Sequence, residues 1–323
     1  MSEPMEHFDR FYGYNCQRNA HTYYPTWLFD DREKISLDGK TYSHDLIHEQ
    51  AMKFVRDNKD KPFFLYYPTA IPHAAMHVPA KYHDKYRKKF KQFEGTKGKY
   101  AGTTVDNPVA AFAGMMEKMD EDVGALVALL KELKLAENTI VLFTSDNGPH
   151  KEGGHKPDFF DSNGPLTGYK RSLTEGGIRA PLIAWWPGRV PAGKTTDHIS
   201  AHWDVVETVC ELVGIEAPEN DGISMVPTLL GKGKQTQHEY LYWEFYEGGG
   251  KKAARWGDWK AVQRNVSKGP DQPIAIYNLA NDVGEKVDLS KQKPDLVKRA
   301  KSIFAEAREI NPLWLYGYER QKK

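Results

Sequence analysis

The sequence predicts an α/β fold: a mostly parallel sheet between helices, followed by a small C-terminal antiparallel α+β subdomain. Three observations carry this. Apolar runs that read as buried strands alternate with segments of helical periodicity up to residue 231. Beyond it the runs shorten and are separated by Gly-rich and Pro-containing turns, the pattern of an antiparallel sheet. The length, 323 residues, suits one main core plus a smaller appendage. The expected division is therefore residues 1–231 and 232–323.

Taken in order, residues 1–42 are aromatic and polar without clear periodicity and read as loop with short elements. No signal-peptide pattern opens the chain at Met1. Ser43 is placed to cap a helix over 43–56, with Leu46, Ile47, Met52 and Phe54 among its apolar positions. Residues 63–67 (FFLYY), closed by Pro68, read as a buried strand. After Pro108 a long helix carries Met115, Met119, Val123, Leu126, Leu130 and Leu133 at helical spacing, a core stripe. Residues 139–143 (TIVLF) and 182–186 (LIAWW) are further buried strands, the second ended by Pro187-Gly188. A helix over 204–213 ends at Gly214. Short strands over 239–245, 260–263 and 274–279 and a closing helix over 294–308 form the appendage. In sheets of this kind, sites lie beyond the carboxyl ends of strands, which directs attention to the segments after Tyr67 and Phe143.

Composition narrows the function. Hydrophobic residues are 40% and charged residues 28%, values of an ordinary globular chain. A net charge of +1 argues against a nucleic-acid partner, and the basic run 81–91 reads as a solvated face. No apolar run reaches the roughly 20 residues that span a bilayer. Cys16 and Cys210, the only cysteines, cannot build a disulfide framework or a thiolate zinc site.

The strand at 139–143 runs into Ser145-Asp146-Asn147-Gly148. A carboxylate beside an amide carbonyl suits a hard cation, calcium or magnesium, and Gly148 lets the chain turn; a plain turn is the competing reading. Lys170 follows in a segment that reads Gly168-Tyr169-Lys170-Arg171 and continues through Glu175-Gly176-Gly177 to Arg179-Ala180-Pro181. Its ammonium suits an anionic oxygen.

With these residues the chain resembles the sulfatase family of the alkaline-phosphatase-like superfamily. The resemblance rests on Ser-Asp-Asn-Gly after a strand and on Lys170 through Pro181. It extends to Tyr67 through His73, to Asn147 through His155, to Phe159 through Gly164, and to Arg255-Trp256-Gly257-Asp258-Trp259-Lys260. It implies hydrolysis of sulfate esters, with sulfated carbohydrates as the expected substrate and a periplasmic or secreted location. It assigns Asp146 and Asn147 as metal ligands, Lys170 to the sulfate, and His73 as the acid near the leaving oxygen. His150 and His155 are expected to line the substrate mouth. The family nucleophile is a formylglycine made from Cys or Ser in a Cys/Ser-x-Pro/Ala-x-Arg motif, and a calcium-type ion holds it.

The sequence departs from this pattern early. Cys16 is followed by Gln17-Arg18-Asn19-Ala20 and Cys210 by Glu211-Leu212-Val213-Gly214, so neither fits, and no serine version occurs. Asp30-Asp31 lies in a loop-like region and is not matched to the family's first metal pair. The Gly-Lys-Trp-type motif is absent. The expectation is a chain lacking an N-terminal segment, or a degenerate homologue. Rival readings are a phosphoester hydrolase of the same superfamily, disfavoured because Asn147 stands where two-metal enzymes want histidine, and a non-catalytic carbohydrate-binding homologue. The latter would stack sugars on His21, Tyr23, Tyr24 and Trp27; packing of these rings in the core is the simpler alternative.

Overall fold

The computed structural model describes residues 6–320, so Met1 lies outside the described residues. The chain divides into two compact units. One comprises residues 1–139 and 150–160, the other residues 140–149 and 161–323.

In the first unit, β1 (Tyr12–Gly13), β2 (Trp27–Asp30) and β3 (Glu33–Ser36) form an antiparallel sheet in the order β1-β2-β3. Helix α1 (Ser43–Asp57) follows. Ser43 is its first helical residue and not its cap. Its hydroxyl donates to the Tyr23 carbonyl at 3.0 Å and receives the Tyr14 hydroxyl at 2.6 Å, tying the helix to the aromatic segment before it. Helix α2 (Ala80–Lys89) is the basic run, with exposed lysines as a solvated face requires. The hairpin β4 (Lys97–Tyr100) and β5 (Thr103–Asp106) leads into α3 (Pro108–Glu132). Asn107 caps α3: its side chain accepts from the Ala110 amide at 3.0 Å, and Pro108 fills the first helical position, where no N–H is needed. The core joins Tyr23, Tyr42, Ile71, Met76, Val78, Tyr82, Ala111 and Met115. Tyr23 is thus a packing residue, with Tyr24 half-buried against the same cluster, while His21 and Trp27 stay partly exposed.

The run 63–67 belongs to no strand ladder among the described residues. Its side chains alternate, with Phe64 61% and Tyr66 65% exposed. The expected burial fails for a physical reason: an extended run is buried only where neighbouring strands cover it, and here Phe8 stacks on both rings instead.

In the second unit, β6 (Val141–Thr144) pairs antiparallel with β7 (Leu182–Trp185). Between them lies α4 (Glu175–Ile178). After them come α5 (Asp204–Val213), closed by Gly214 at φ 74°, and α6 (Val226–Leu230). The C-terminal antiparallel sheet is ordered β11-β10-β9-β8, from β8 (Leu241–Phe245), β9 (Lys251–Trp256), β10 (Trp259–Arg264) and β11 (Ile274–Asn278). Sequence reading missed β9 as a strand; a tight turn at Gly257, φ 53°, joins it to β10. Helix α7 (Pro294–Glu306) covers one face, packing Ala300, Ile303 and Phe304 on Ala254, Ala261 and Ile276. The other face packs Ala253, Val262, Tyr277 and Leu279 against Leu173. A short helix, α8 (Gly317–Arg320), ends the described chain. The class is α/β with a C-terminal antiparallel sheet. Every strand pair among the described residues is antiparallel, so the parallel ladder expected around 63–67 and 139–143 is not formed within them.

Candidate active site

In the second unit, β6 delivers Ser145, Asp146, Asn147 and Gly148 at its carboxyl end. The turn lies against the segment around α4: the Gly148 amide donates to the Gly177 carbonyl at 3.0 Å. A Cβ at Gly148 would stand 1.9 Å from the Gly176 carbonyl oxygen, so only glycine permits this approach. The Lys170 amide donates to the Pro149 carbonyl at 2.8 Å. Asp146, Asn147 and Lys170 therefore sit on two turns pinned backbone to backbone. Asp146 is exposed, and the Asn147 amide nitrogen donates to the Gly148 carbonyl at 3.1 Å, which orients the side chain.

The Lys170 loop is anchored by the C-terminal sheet. Leu173 packs on it. Glu175, at the start of α4, accepts from Lys260 at 2.6 Å and from Arg255 at 3.0 Å, and its amide donates to Glu285 at 2.6 Å. Lys260 is 0% exposed. Burial works to raise the Glu175 carboxyl, but Lys260, Arg255 and Arg179 outweigh it and hold the group below the usual carboxylate range. Burial pushes the Glu285 carboxyl up. Glu175 and Arg179 do pair, at 3.8 Å, but Lys260 is the closer partner.

In the first unit, His73 lies in a loop shaped by Tyr23, whose buried hydroxyl donates to the His73 carbonyl at 2.8 Å. The His73 Nδ1 donates to the Ala74 carbonyl at 2.5 Å, so Nε2 is the outward nitrogen; it stands 3.5 Å from the Glu152 carboxylate. His21 stacks on His73 with centroids 5.9 Å apart, and Tyr100 presents its edge at 5.6 Å. His77 is the structural histidine of this loop, accepting the Tyr23 amide at 3.3 Å, with its pKa lowered by burial.

Two expected substrate ligands have other duties. His150 is buried, with Nε2 donating to the Pro72 carbonyl at 3.1 Å and Nδ1 accepting the Glu152 amide at 3.1 Å, so backbone claims both ring nitrogens and the residue is a strut. His155 is 4% exposed and stacks on Phe112 at 3.7 Å, which makes it a packing residue and not a mouth residue. Burial holds its pKa down, to about 3. Sequence reading missed Glu152, and it placed His21 only on a sugar-stacking surface. The signal for Glu152 was the Gly153-Gly154 pair after it: both have positive φ, and the loop passes so close to β4 that a Cβ at Gly98 would stand 1.9 Å from the Gly153 carbonyl oxygen.

Asp146 and Asn147 offer oxygens that fit calcium or magnesium in kind. They do not fit in number. Calcium takes roughly six to eight oxygens, and the described residues hold no cluster of three or more His, Cys, Asp or Glu able to bind a metal. Asp30 and Asp31 are occupied by Arg10, and Asp31 also accepts the Phe11 amide at 2.7 Å. Cys16 is exposed and Cys210 half-buried on α5, and neither stands in a nucleophile motif. Among the described residues no helix is long and apolar enough to cross a membrane.

A family model described as Sulfatase matches residues 2–215, and one described as N-sulphoglucosamine sulphohydrolase, C-terminal, matches residues 168–293. N-acetylgalactosamine-6-sulfatase of Sus scrofa is 31% identical over 340 residues, covering 89% of this chain and 59% of that protein. The chain thus spans about three fifths of the length of this relative. The crystal structure of Ps i-CgsB in complex with k-i-k-neocarrahexaose is 26% identical with a TM-score of 0.75, covering 98% of this chain and 70% of that one. BT4656 in complex with its substrate D-glucosamine-2-N,6-O-disulfate shares the fold, with a TM-score of 0.72 at 19% identity, covering 95% of this chain and 77% of that one. The chain belongs to the sulfatase family.

Proposed function

We propose that this protein is a sulfuric ester hydrolase acting on sulfated carbohydrates, and that these 323 residues carry the acid, the sulfate-binding lysine and part of the cation site but not the nucleophile. The observation that carries the reading is the pinning of Lys170 to the Asp146–Asn147 turn through the 2.8 Å bond to Pro149. Lys170 offsets the negative charge of a sulfuryl group. His73, with Nδ1 held by the Ala74 carbonyl, keeps Nε2 for the leaving oxygen. Asp146 and Asn147 offer two of the oxygens that a calcium-type ion takes. The sequence carries no formylglycine motif, and the reading is therefore of a chain that does not turn over sulfate esters by itself. The carbohydrate assignment is supported by the relatives' names and by the saccharide ligands of the structural neighbours.

The test is turnover of an aryl sulfate and an aryl phosphate by the purified chain with added calcium. The reading expects neither to be hydrolysed by the chain alone. Robust sulfate turnover without added polypeptide would overturn the missing nucleophile, and phosphate turnover would move the protein to the phosphoester hydrolases.

A further inference from the structure

We propose that Arg171, Lys251 and Arg264 form a second anion subsite, which takes an acidic group on the sugar next to the one whose sulfate meets Lys170. The inference rests on the sulfated-carbohydrate reading and narrows its substrate class to chains with acidic groups on neighbouring sugars.

The row stands on one face of the C-terminal sheet, within one compact unit. Phe245 of β8, Lys251 of β9 and Arg264 of β10 lie directly opposite one another in the ladders. Opposite residues of antiparallel strands share a face. Ala253 and Val262, the next such pair on that face, pack on Leu173 of the Lys170 loop. The Lys251 Nζ lies 4.8 Å from the centre of the Phe245 ring and donates to the Arg171 carbonyl at 3.0 Å. Arg171 follows Lys170 directly, so the row begins beside the proposed sulfate site.

The row is held at a cost that a bound anion would offset. Like charges directly opposite across a ladder destabilise a sheet, and Lys251 and Arg264 are such a pair. Arg171 has φ 73°, a left-handed conformation unfavourable for a residue with a Cβ. Burial, Arg264 and Arg171 hold the Lys251 ammonium below its ordinary range, against the pull of Glu247. Neighbouring acids offset only part of this charge. Glu247 stands 3.4 Å from the Arg171 Nε but is 72% exposed, where such a pair contributes little. Asp288 borders a cleft with Arg264, and its Oδ1 already accepts the amides of Ile276 and Ser290. Asn265 and Gln272 also line that cleft, which gives a sugar ring room and hydrogen-bonding groups beside Arg264. Two guanidinium forks and an ammonium suit the oxygens of a sulfate or a carboxylate.

The experiment is calorimetric titration of the full chain with two probes. N-acetyllactosamine 6-sulfate carries one acidic group; the 6,6′-disulfate carries one on each ring. The parent protein is expected to bind the disulfate about tenfold more tightly, the effect of one added charge-assisted contact. Arg171→Gln and Arg264→Gln should each move the two affinities toward equality. Lys301→Gln, on the helix that covers the opposite face, should keep the ratio of the parent. All three side chains are exposed, so the variants are expected to fold, and thermal melting compares them with the parent. Equal binding or no binding of the probes by the parent overturns the inference. So does a ratio that survives in both arginine variants, or one that Lys301→Gln lowers as much. Lys170→Ala separates this result from the proposed function, which expects it to weaken both probes. A preference lost in Arg264→Gln but untouched, with both affinities, by Lys170→Ala leaves the row standing as an anion site and removes the sulfate role of Lys170 instead.

Discussion

Replacing His155 with phenylalanine tests whether that residue packs or binds. The ring lies 3.7 Å from Phe112 and 5.8 Å from Phe160, and neither of its nitrogens has a hydrogen-bond partner. An unsatisfied buried polar group costs about 1–3 kcal/mol. Phenylalanine keeps the stack and removes that cost, at the risk of mild overpacking. A net gain of about 1 kcal/mol at pH 7.5 is expected. The pH dependence sharpens the test. Burial holds the folded-state pKa of His155 down at about 3, against about 6.5 for an exposed imidazole. The unfolded chain therefore binds the extra proton first, and stability is lost as pH falls below about 6.5, by up to about 1.4 kcal/mol per pH unit. His155→Phe removes this share of the slope, while His44, also held down to about 3 by burial, keeps its own. The advantage of the variant should therefore grow by about 1 kcal/mol between pH 7.5 and pH 5.5. Urea titrations of both proteins at the two pH values measure it. A variant destabilised at pH 7.5, or one with an unchanged pH slope, would refute the packing assignment.

Further expectations concern the supports of the site. Lys260→Met leaves Glu175 buried without its closest partner and should cost about 3–5 kcal/mol, read by chemical denaturation, with faster proteolysis in 168–177 as the Lys170 loop loosens. The Glu175 network also predicts acid sensitivity: a depressed carboxyl contributes fully above the unfolded value of about 4.3 and is lost as pH falls below it, a slope that Glu175→Gln should reduce. Gly148→Ala forces a Cβ onto the Gly176 carbonyl, and thermal melting should show a loss of about 1–3 kcal/mol. Asn107→Ala removes the cap of α3 at a residue with φ 45° and should cost about 1–2 kcal/mol in the same measurement.

How much of this was readable from sequence depended on the range of the forces involved. The stripe of α3, the start of that helix at Pro108 and the end of α5 at Gly214 are local signals, and the elements lie where they predict. Ser43 misled because its hydroxyl serves Tyr23, a residue distant in sequence. The run 63–67 has strand composition, but its burial depends on neighbours that no local pattern reveals. The turn at Asp146 and the loop of Lys170 were legible as motifs, and their pinning through Pro149 adds the contact that a motif lacks. His150 and His155 were not separable by sequence. Only the partners of their ring nitrogens, backbone in one case and none in the other, distinguish a strut from a packed ring.

Calorimetric titration of a sulfated monosaccharide into the full chain, with and without calcium, bears most directly on the role assigned to Lys170 and the Asp146–Asn147 turn. Binding should strengthen when calcium is added and weaken at least tenfold in Lys170→Ala, about 1.4 kcal/mol or more. Equal affinity in the parent and Lys170→Ala proteins, or equal binding of the unsulfated sugar, would contradict the account.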